Sequence, residues 1–443
     1  MKLVAVLLAL AGCGDNLEVF AEPNTIELTF PSVANRELDL LVVMDDTIGL
    51  PEVQADMAIR LPEFLARLSV LEGQLPSLHI GMTTSDMGTT GSAAPDAPGP
   101  AIGQVGNGGC SGSGKDGALL MPSGGTGFLS DVIEGGMRVK NYQGELADAL
   151  ARLLRTAGGG GCGFEQHLRG MRRALTKPEN AAFLRPTAAL AILIVADEDD
   201  CSLRSADLLA SETSLLGPLA SFRCTREGVE CAEPIGELGA KTHCRPREDS
   251  VHVEGIAPTI DFLEELKPPG HLVVTGIVGD PEPFVVRAAT PPGGGTAVLG
   301  LDSVCSDALS GGVHPSSRLH ALLSHFGGRG TSPSICGSDT NLQMLEVART
   351  IKQLVGVVCL DSTQLTDSST ERGIQPACEL TEIAGDTETR IRACPLADDC
   401  FEIVPDATAC PETTDHLRLV VHRVSTPAAG AYFRARCETP GYP

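Results

Sequence analysis

Residues 38–50 read Leu38-Asp39-Leu40-Leu41-Val42-Val43-Met44-Asp45-Asp46-Thr47-Ile48-Gly49-Leu50, and this stretch decides the fold. A nearly unbroken apolar run predicts a strand buried on both faces, and it ends abruptly in acid. Pro51 then suits the first turn of a helix. Val53, Met57, Leu61, Phe64, Leu68 and Leu71 follow at three- and four-residue steps, which predicts one apolar helix face. Further out, strands are expected at Leu78–Thr84, Ala189–Ala196 and Leu272–Val278. Helices are expected around Leu146–Leu154, Phe164–Leu175, Ile260–Leu266, Ser316–Phe326 and Asn341–Leu354. Strands alternating with helices imply an α/β fold, a doubly wound, mostly parallel sheet with helices on both faces. Residues 88–130, rich in Gly, Ser and Pro, read as a long insertion, and Cys224–Cys244 as a disulfide-tied excursion.

Four of these strands run into aspartates, at Asp45, Asp86, Asp197 and Asp280. Ligands of open α/β sheets gather at the carboxyl edge of the strands, where an acidic rim would suit a divalent cation. Each aspartate taken singly is also an ordinary turn former or helix cap.

The chain has 443 residues, with 57 Asp and Glu against 33 Lys and Arg, a formal charge of −24. That length implies two or three domains, and the acidity excludes nucleic acid as a partner, since phosphate binding needs clustered cations. Aromatic residues are 3% with no Trp, so stacking platforms are scarce, while 42% hydrophobic residues exclude wholesale disorder. The cysteine count is 15, an odd number. Met1-Lys2 and the apolar Leu3–Leu10 have the grammar of a signal peptide, too short for the roughly 20 residues of a membrane span. Leu10-Ala11-Gly12-Cys13 resembles the lipobox of bacterial lipoproteins. The resemblance implies removal of residues 1–12, lipid (diacyl, palmitate-type) on Cys13, and membrane anchoring through that lipid. With Gly14 where the inner-membrane retention signal has Asp, it implies the outer membrane, on its periplasmic or surface face.

Fourteen cysteines then remain. In an exported chain without any CxxC pair they are expected in disulfides and not around zinc. Eight fall between Cys110 and Cys336 and six between Cys359 and Cys437, so each block can close internally. The expected domains are a lipidated tether over 13–36, with one possible strand at Thr25–Phe30, an α/β domain over 37–358, and a small disulfide-rich, β-rich module over 359–443 that includes a strand at Leu417–His422.

The stretch Asp39–Leu50 resembles the first strand and loop of a von Willebrand factor type A domain, where Asp-x-Ser-x-Ser forms a metal-ion-dependent adhesion site. Leu78–Asp86, Gly161–Gln166, Ile194–Ser202 and Phe222–Cys224 are similar to exported lipoproteins of myxobacterial type that carry such a domain, in order over roughly residues 36–360. The resemblance implies that Asp45, Thr47 and Asp197 would hold Mg²⁺ or another divalent cation. It also shows a degenerate site: Gly49 stands at the second serine, and the separate threonine falls near Cys162, a poor ligand for a hard cation. An acidic, metal-free rim is therefore the expected state, with Asp46, Asp199 or Asp200 available to compensate. Cys162 and Cys201 both lie beside this site, and a disulfide between them would fix loops that a metal otherwise organises.

Other motifs lead nowhere. Gly109–Lys115 matches half of a P-loop, but Asp116 replaces the Mg²⁺-binding hydroxyl residue and no apolar strand precedes it, so no nucleotide is expected. Gly158–Gly161 reads as a flexible lead-in to a helix. Asp197–Asp200 lacks the partner ligands of a two-metal phosphoesterase, and no catalytic residue set can be picked out. The expected function is adhesion or protein–protein interaction at the cell envelope. The alternatives are a metal-dependent envelope hydrolase using Asp45 and the Asp197 cluster, and a purely structural lipoprotein.

Overall fold

The computed structural model describes residues 25–69, 74–122, 127–211, 215–290, 297–306, 309, 312–337, 339–370 and 374–440. The proposed signal peptide, Cys13 and Leu71 lie outside the described residues.

In β2 (Glu37–Met44) the side chains alternate between two interiors. Leu38, Leu40, Val42 and Met44 enter one apolar cluster, Leu41 and Val43 the other. Both faces are covered, which is why the sequence shows an apolar run and not a polar alternation. Asp39 is the exception on this strand. Its buried carboxylate accepts from the backbone N–H (2.7 Å) and Nε (2.8 Å) of Arg185, so the charge is paired where it would otherwise be costly. β6 (Ala189–Val195) divides its side chains in the same way.

The α/β sheet has the order Gly330–Thr331, Leu272–Ile277, β6, β2, β3 (Ser77–Thr84), β4 (Leu129–Glu134), β5 (Met137–Lys140). Pairing is parallel as far as β3 and antiparallel for β3–β4 and β4–β5, so the sheet is mixed. The β4–β5 hairpin lies where the sequence predicts the end of an insertion. It turns on Gly135 and Gly136, both with positive φ, as a tight two-residue hairpin demands. β5 is exposed throughout and so carries no burial signal in the sequence.

Helices cover both faces. α1 (Leu50–Leu68), α2 (Leu146–Arg155) and α7 (Thr340–Lys352) pack on one. α3 (His167–Thr176), α5 (Ala257–Leu266) and α6 (Ser317–His325) pack on the other, while the short α4 (Phe222–Gly228) lies beyond the sheet's carboxyl edge.

A second seven-stranded sheet runs β1 (Thr25–Pro31), Tyr432–Glu438, Cys378–Ala384, Thr387–Ala393, Cys400–Pro405, Leu417–His422, Val358–Leu360. Its core gathers Phe30, Leu380, Ile391, Phe401, Leu419 and Phe433. The possible strand at Thr25–Phe30, expected within a tether over 13–36, is β1 and belongs to this sheet: all seven of its residues pair with Tyr432–Glu438, and Phe30 meets Phe433 with ring centroids 5.3 Å apart, while residues 13–24 lie outside the described residues. The expected boundary at 358/359 likewise falls inside a strand of this sheet.

Among the described residues seven disulfides staple the molecule, and none of them joins the two cysteine blocks. Four are Cys110–Cys162, Cys201–Cys224, Cys231–Cys244 and Cys305–Cys336; three are Cys359–Cys410, Cys378–Cys437 and Cys394–Cys400. No helix among the described residues is long and apolar enough to cross a membrane.

Candidate functional site at the carboxyl edge of the sheet

The loop leaving β2 turns on Asp45. Its Oδ1 accepts from the Thr47 backbone N–H (2.9 Å) and from Thr47 Oγ1 (2.7 Å), an Asx turn that fixes the loop. Asp45 Oδ2 stands 3.5 Å from Nε2 of His167, the first residue of α3, and both side chains are fully buried. Burial works to lower the His167 pKa, but the Asp45 carboxylate, with Asp200 and Asp199 behind it, overrides this and raises it.

Asp46 takes a separate partner. Lys115 Nζ donates to its Oδ2 at 2.5 Å and to the Ala157 carbonyl at 2.9 Å, while Ser85 Oγ reaches Oδ1 at 3.3 Å. Burial lifts the Asp46 carboxyl to about 6 against the pull of Lys115. Lys115 is the last residue of the stretch that imitates a P-loop, and its ammonium serves as an internal counter-ion.

The glycine run is not a flexible lead-in. Gly159 packs on Pro51, Gly160 on the Gly106 carbonyl, and Gly161 on the Asp46 carboxylate, where a Cβ would fall inside van der Waals contact. Gly161 also donates its N–H to the Asp46 carbonyl at 2.8 Å. The Pro51 ring, the Gly106 backbone and the Asp46 carboxylate approach so closely that a Cβ at any of the three positions would force a shift.

The acidic cluster after β6 is largely spent on helix ends. Asp199 accepts from the N–H groups of Arg318 and Leu319 in the first turn of α6. Burial raises the Asp199 pKa to about 6 despite Arg318. Asp200 accepts from the Leu168 N–H of α3 (2.9 Å), from Ser202 and from the Arg318 guanidinium (3.1 Å). Neither is available to complete a metal shell, as the sequence had left open. Asp86 caps its own turn at the Gly88 N–H (2.9 Å). Asp280, at the end of Leu272–Ile277, sits against the first turn of α6, where its carbonyl accepts from Ser316. The four strand-terminal aspartates therefore share an edge without forming one cluster.

Asp197 and Asp45 do converge, around a residue the sequence reading passed over. The Glu165 side chain is 2% exposed and stands among Asp45, Asp197 and Glu198. Burial, reinforced by those carboxylates, pushes its carboxyl well above the usual range. Glu198 pairs with His314 Nδ1 at 3.3 Å. Glu165 lies within the Gly161–Gln166 stretch and His167 directly after it. A charged residue and a histidine at the start of an apolar helix face were the available signal.

Cys162 and Cys201 are brought into one small apolar cluster, yet they bond elsewhere. Cys162 faces the 102–110 loop and pairs with Cys110, while Cys201 turns toward α4 and pairs with Cys224. The expected Cys162–Cys201 bridge is thereby corrected, although both actual bridges do fix loops at this edge.

The donor set of Asp45, Thr47 and Asp197 does not fit a hard cation as arranged. Asp45 Oδ1 is taken by the Thr47 N–H and hydroxyl, and the buried His167 Nε2 faces Oδ2 at 3.5 Å, so neither Asp45 oxygen is free of a neighbouring nitrogen or hydroxyl. Among the described residues no three His, Cys, Asp or Glu side chains stand together as a metal requires.

No family profile matches the chain, and no curated protein is significantly similar to it in sequence. Among solved structures it is similar to the pilus adhesin SpaC of Lactobacillus rhamnosus GG in its open conformation, at 8% identity and a TM-score of 0.33 over 94% of this chain and 41% of that one. It is similar to the pilus adhesin RrgA of Streptococcus pneumoniae at 8% identity, TM-score 0.31, over 94% and 58%. It is also similar to a von Willebrand factor type A protein from Catenulispora acidiphila at 10% identity, TM-score 0.28, over 95% and 66%. The chain spans less than two thirds of the length of each, and likeness at this level transfers neither residue roles nor activity.

Proposed function

We propose that this chain is an adhesion or protein-interaction protein of the cell envelope, that its contact surface is the carboxyl edge of the α/β sheet, and that it works without a bound metal. The anchor in this proposal is lipid on Cys13, and the domain is the degenerate von Willebrand factor A type implied by the sequence. One observation carries the proposal: the edge loops are locked from within and turn apolar groups outward. Cys110–Cys162, Lys115–Asp46 and the close-packed Gly159–Gly161 hold the loops around residues 45–50, 102–110 and 158–162 against one another. On those loops Ile48 is 85% exposed and Val105 is 65% exposed. Apolar side chains displayed on rigid loops are what a protein partner recognises at low entropic cost. Seven disulfides belong to an oxidising compartment, consistent with the envelope. The hydrolase alternative loses support because Asp199 and Asp200 cap helices.

Capture from envelope extracts with lipid-free protein is the test. A specific partner is expected, retained in EDTA and lost with Ile48→Lys, while that variant keeps the wild-type unfolding midpoint. Loss of capture in EDTA, or saturable Mg²⁺ binding by calorimetry, would overturn the metal-free reading. Turnover of phosphoester or peptide substrates would overturn the adhesion reading.

A further inference from the structure

A cavity of about 390 Å³ opens beside the acidic centre, between α4 and the strand Val298–Leu301. Its two sides differ in chemistry. The floor carries Glu165 and Glu198, with Asp199 and Asp200 behind them. The wall carries Leu219, Phe222, Leu299 and Leu301; Leu219 is exposed and the other three are half-buried.

The charges facing the cavity do not balance. Four carboxyl groups line it, against one guanidinium, Arg318, and one imidazole, His314. Arg318 is already committed, to the Asp200 side chain and to the carbonyls of Asp200, Gly228 and Glu254. His314 is committed to Glu198. Glu165 is left with no donor from another residue among the described ones. Its neighbours Asp45, Asp197 and Glu198 are all acids. Burial among acids disfavours the charged form of this carboxyl, 2% exposed and lining the cavity, and a cation brought beside it there would restore the carboxylate with release of its proton.

We propose that this cavity receives the side chain of a lysine from a protein partner, its ammonium between Glu165 and Glu198 and its methylene stem along Leu219, Phe222, Leu299 and Leu301. Lysine matches both sides at once, with a compact point charge on a flexible four-carbon stem. The volume falls within the ordinary range for small-ligand sites, about 300–1,000 Å³. The position, at the carboxyl edge of parallel strands, is where α/β sheets bind ligands. This rests on the protein-interaction reading above and adds the chemistry of the partner: a cationic group taken directly by acid, with no bridging metal.

The test uses the full lipid-free chain and two blocked tripeptides, N-acetyl-Gly-Lys-Gly-amide and its norleucine counterpart, titrated by calorimetry and NMR. The lysine peptide is expected to bind at least about tenfold more tightly than the norleucine peptide, the difference of one charge-assisted contact. Glu165→Gln and Glu198→Gln are each expected to remove that preference while leaving the unfolding midpoint within error of wild type. Equal binding of the two peptides overturns the proposal, as does an undiminished preference in the Glu165→Gln/Glu198→Gln double variant. Tighter binding of free 1,5-diaminopentane than of the lysine peptide also overturns it, in favour of a soluble amine. If both peptides fail to bind while EDTA-resistant capture of the envelope partner persists in the double variant, the cavity proposal falls and the interaction reading stands. If wild-type capture itself fails, the interaction reading falls.

Discussion

At the residue scale, the site is a set of buried acids, several of which have a partner supplied by the chain itself. Asp46 shows it best: its carboxylate is fully buried and Lys115, about a third exposed, supplies the counter-charge. Lys115→Met is expected to cost about 2–3 kcal/mol at neutral pH, less than for a wholly buried pair because the ammonium is partly solvated. The double variant Lys115→Met/Asp46→Asn should recover most of that loss, since no stranded charge remains. Urea midpoints for the four members of the cycle measure it; additive losses would show that the pair is not coupled. Asp45 and Thr47 stood out in the sequence through the resemblance carried by Asp39–Leu50, and being two residues apart they meet in a local Asx turn. Lys115 and His167 did not, because they reach Asp46 and Asp45 from distant segments, and single-chain spacing holds no record of that.

At the scale of elements, what was legible depended on burial. β2 and β6 were plain because both faces are covered, so nearly every residue is apolar. The β4–β5 hairpin was missed because its outer strand is solvated; β1 was legible as a strand at Thr25–Phe30, but its pairing was not, because its partner strand lies at the far end of the described chain. Cysteine pairing was legible only in part. The two blocks close internally, as their even counts allow, but which sulfur meets which depends on loop direction. The Cys110–Cys162 bridge closes 52 residues and ties the 102–110 loop to the start of α3. Replacing both cysteines by alanine is expected to lower stability by about 2–4 kcal/mol. Limited proteolysis should then cut first within 102–110, where the intact chain resists. Peptide mapping without reduction is expected to return Cys110–Cys162 and Cys201–Cys224; recovery of a Cys162–Cys201 peptide would refute this arrangement.

For the whole molecule, most of the buried acids that are shifted move upward, which the net charge alone does not reveal. Burial raises Asp46 and Asp199 to about 6 and lifts Asp39, Asp86 and Glu165 as well. Such groups bind protons more tightly in the folded state, so the stability they confer is present below their unfolded values and fades as pH rises through the folded ones. His167 and His314, also raised, act in the same direction, while His79, His271 and His320, lowered by burial, oppose it. Asp200, Asp116 and Asp406 are lowered instead, so their contribution disappears only when pH falls below the ordinary aspartate value. The melting temperature is therefore expected to rise on the order of 5 °C from pH 7.5 to a maximum between about pH 4 and 5, then fall. Calorimetric scans across that range check it, and Asp46→Asn should flatten the slope between pH 5 and 7.

The second sheet draws its strands from both ends of the chain. Thr25 is registered against Glu438, and the ion pair Glu27–Arg436 joins residues 409 positions apart. The α/β sheet has its last strand in hand at Thr331. Thr25–Pro31 therefore takes its neighbour from a segment that follows the whole α/β sheet in the chain. Closure of that edge depends on the meeting of distant segments, and until it happens the strand that carries Phe30 presents an unpaired edge to other strands.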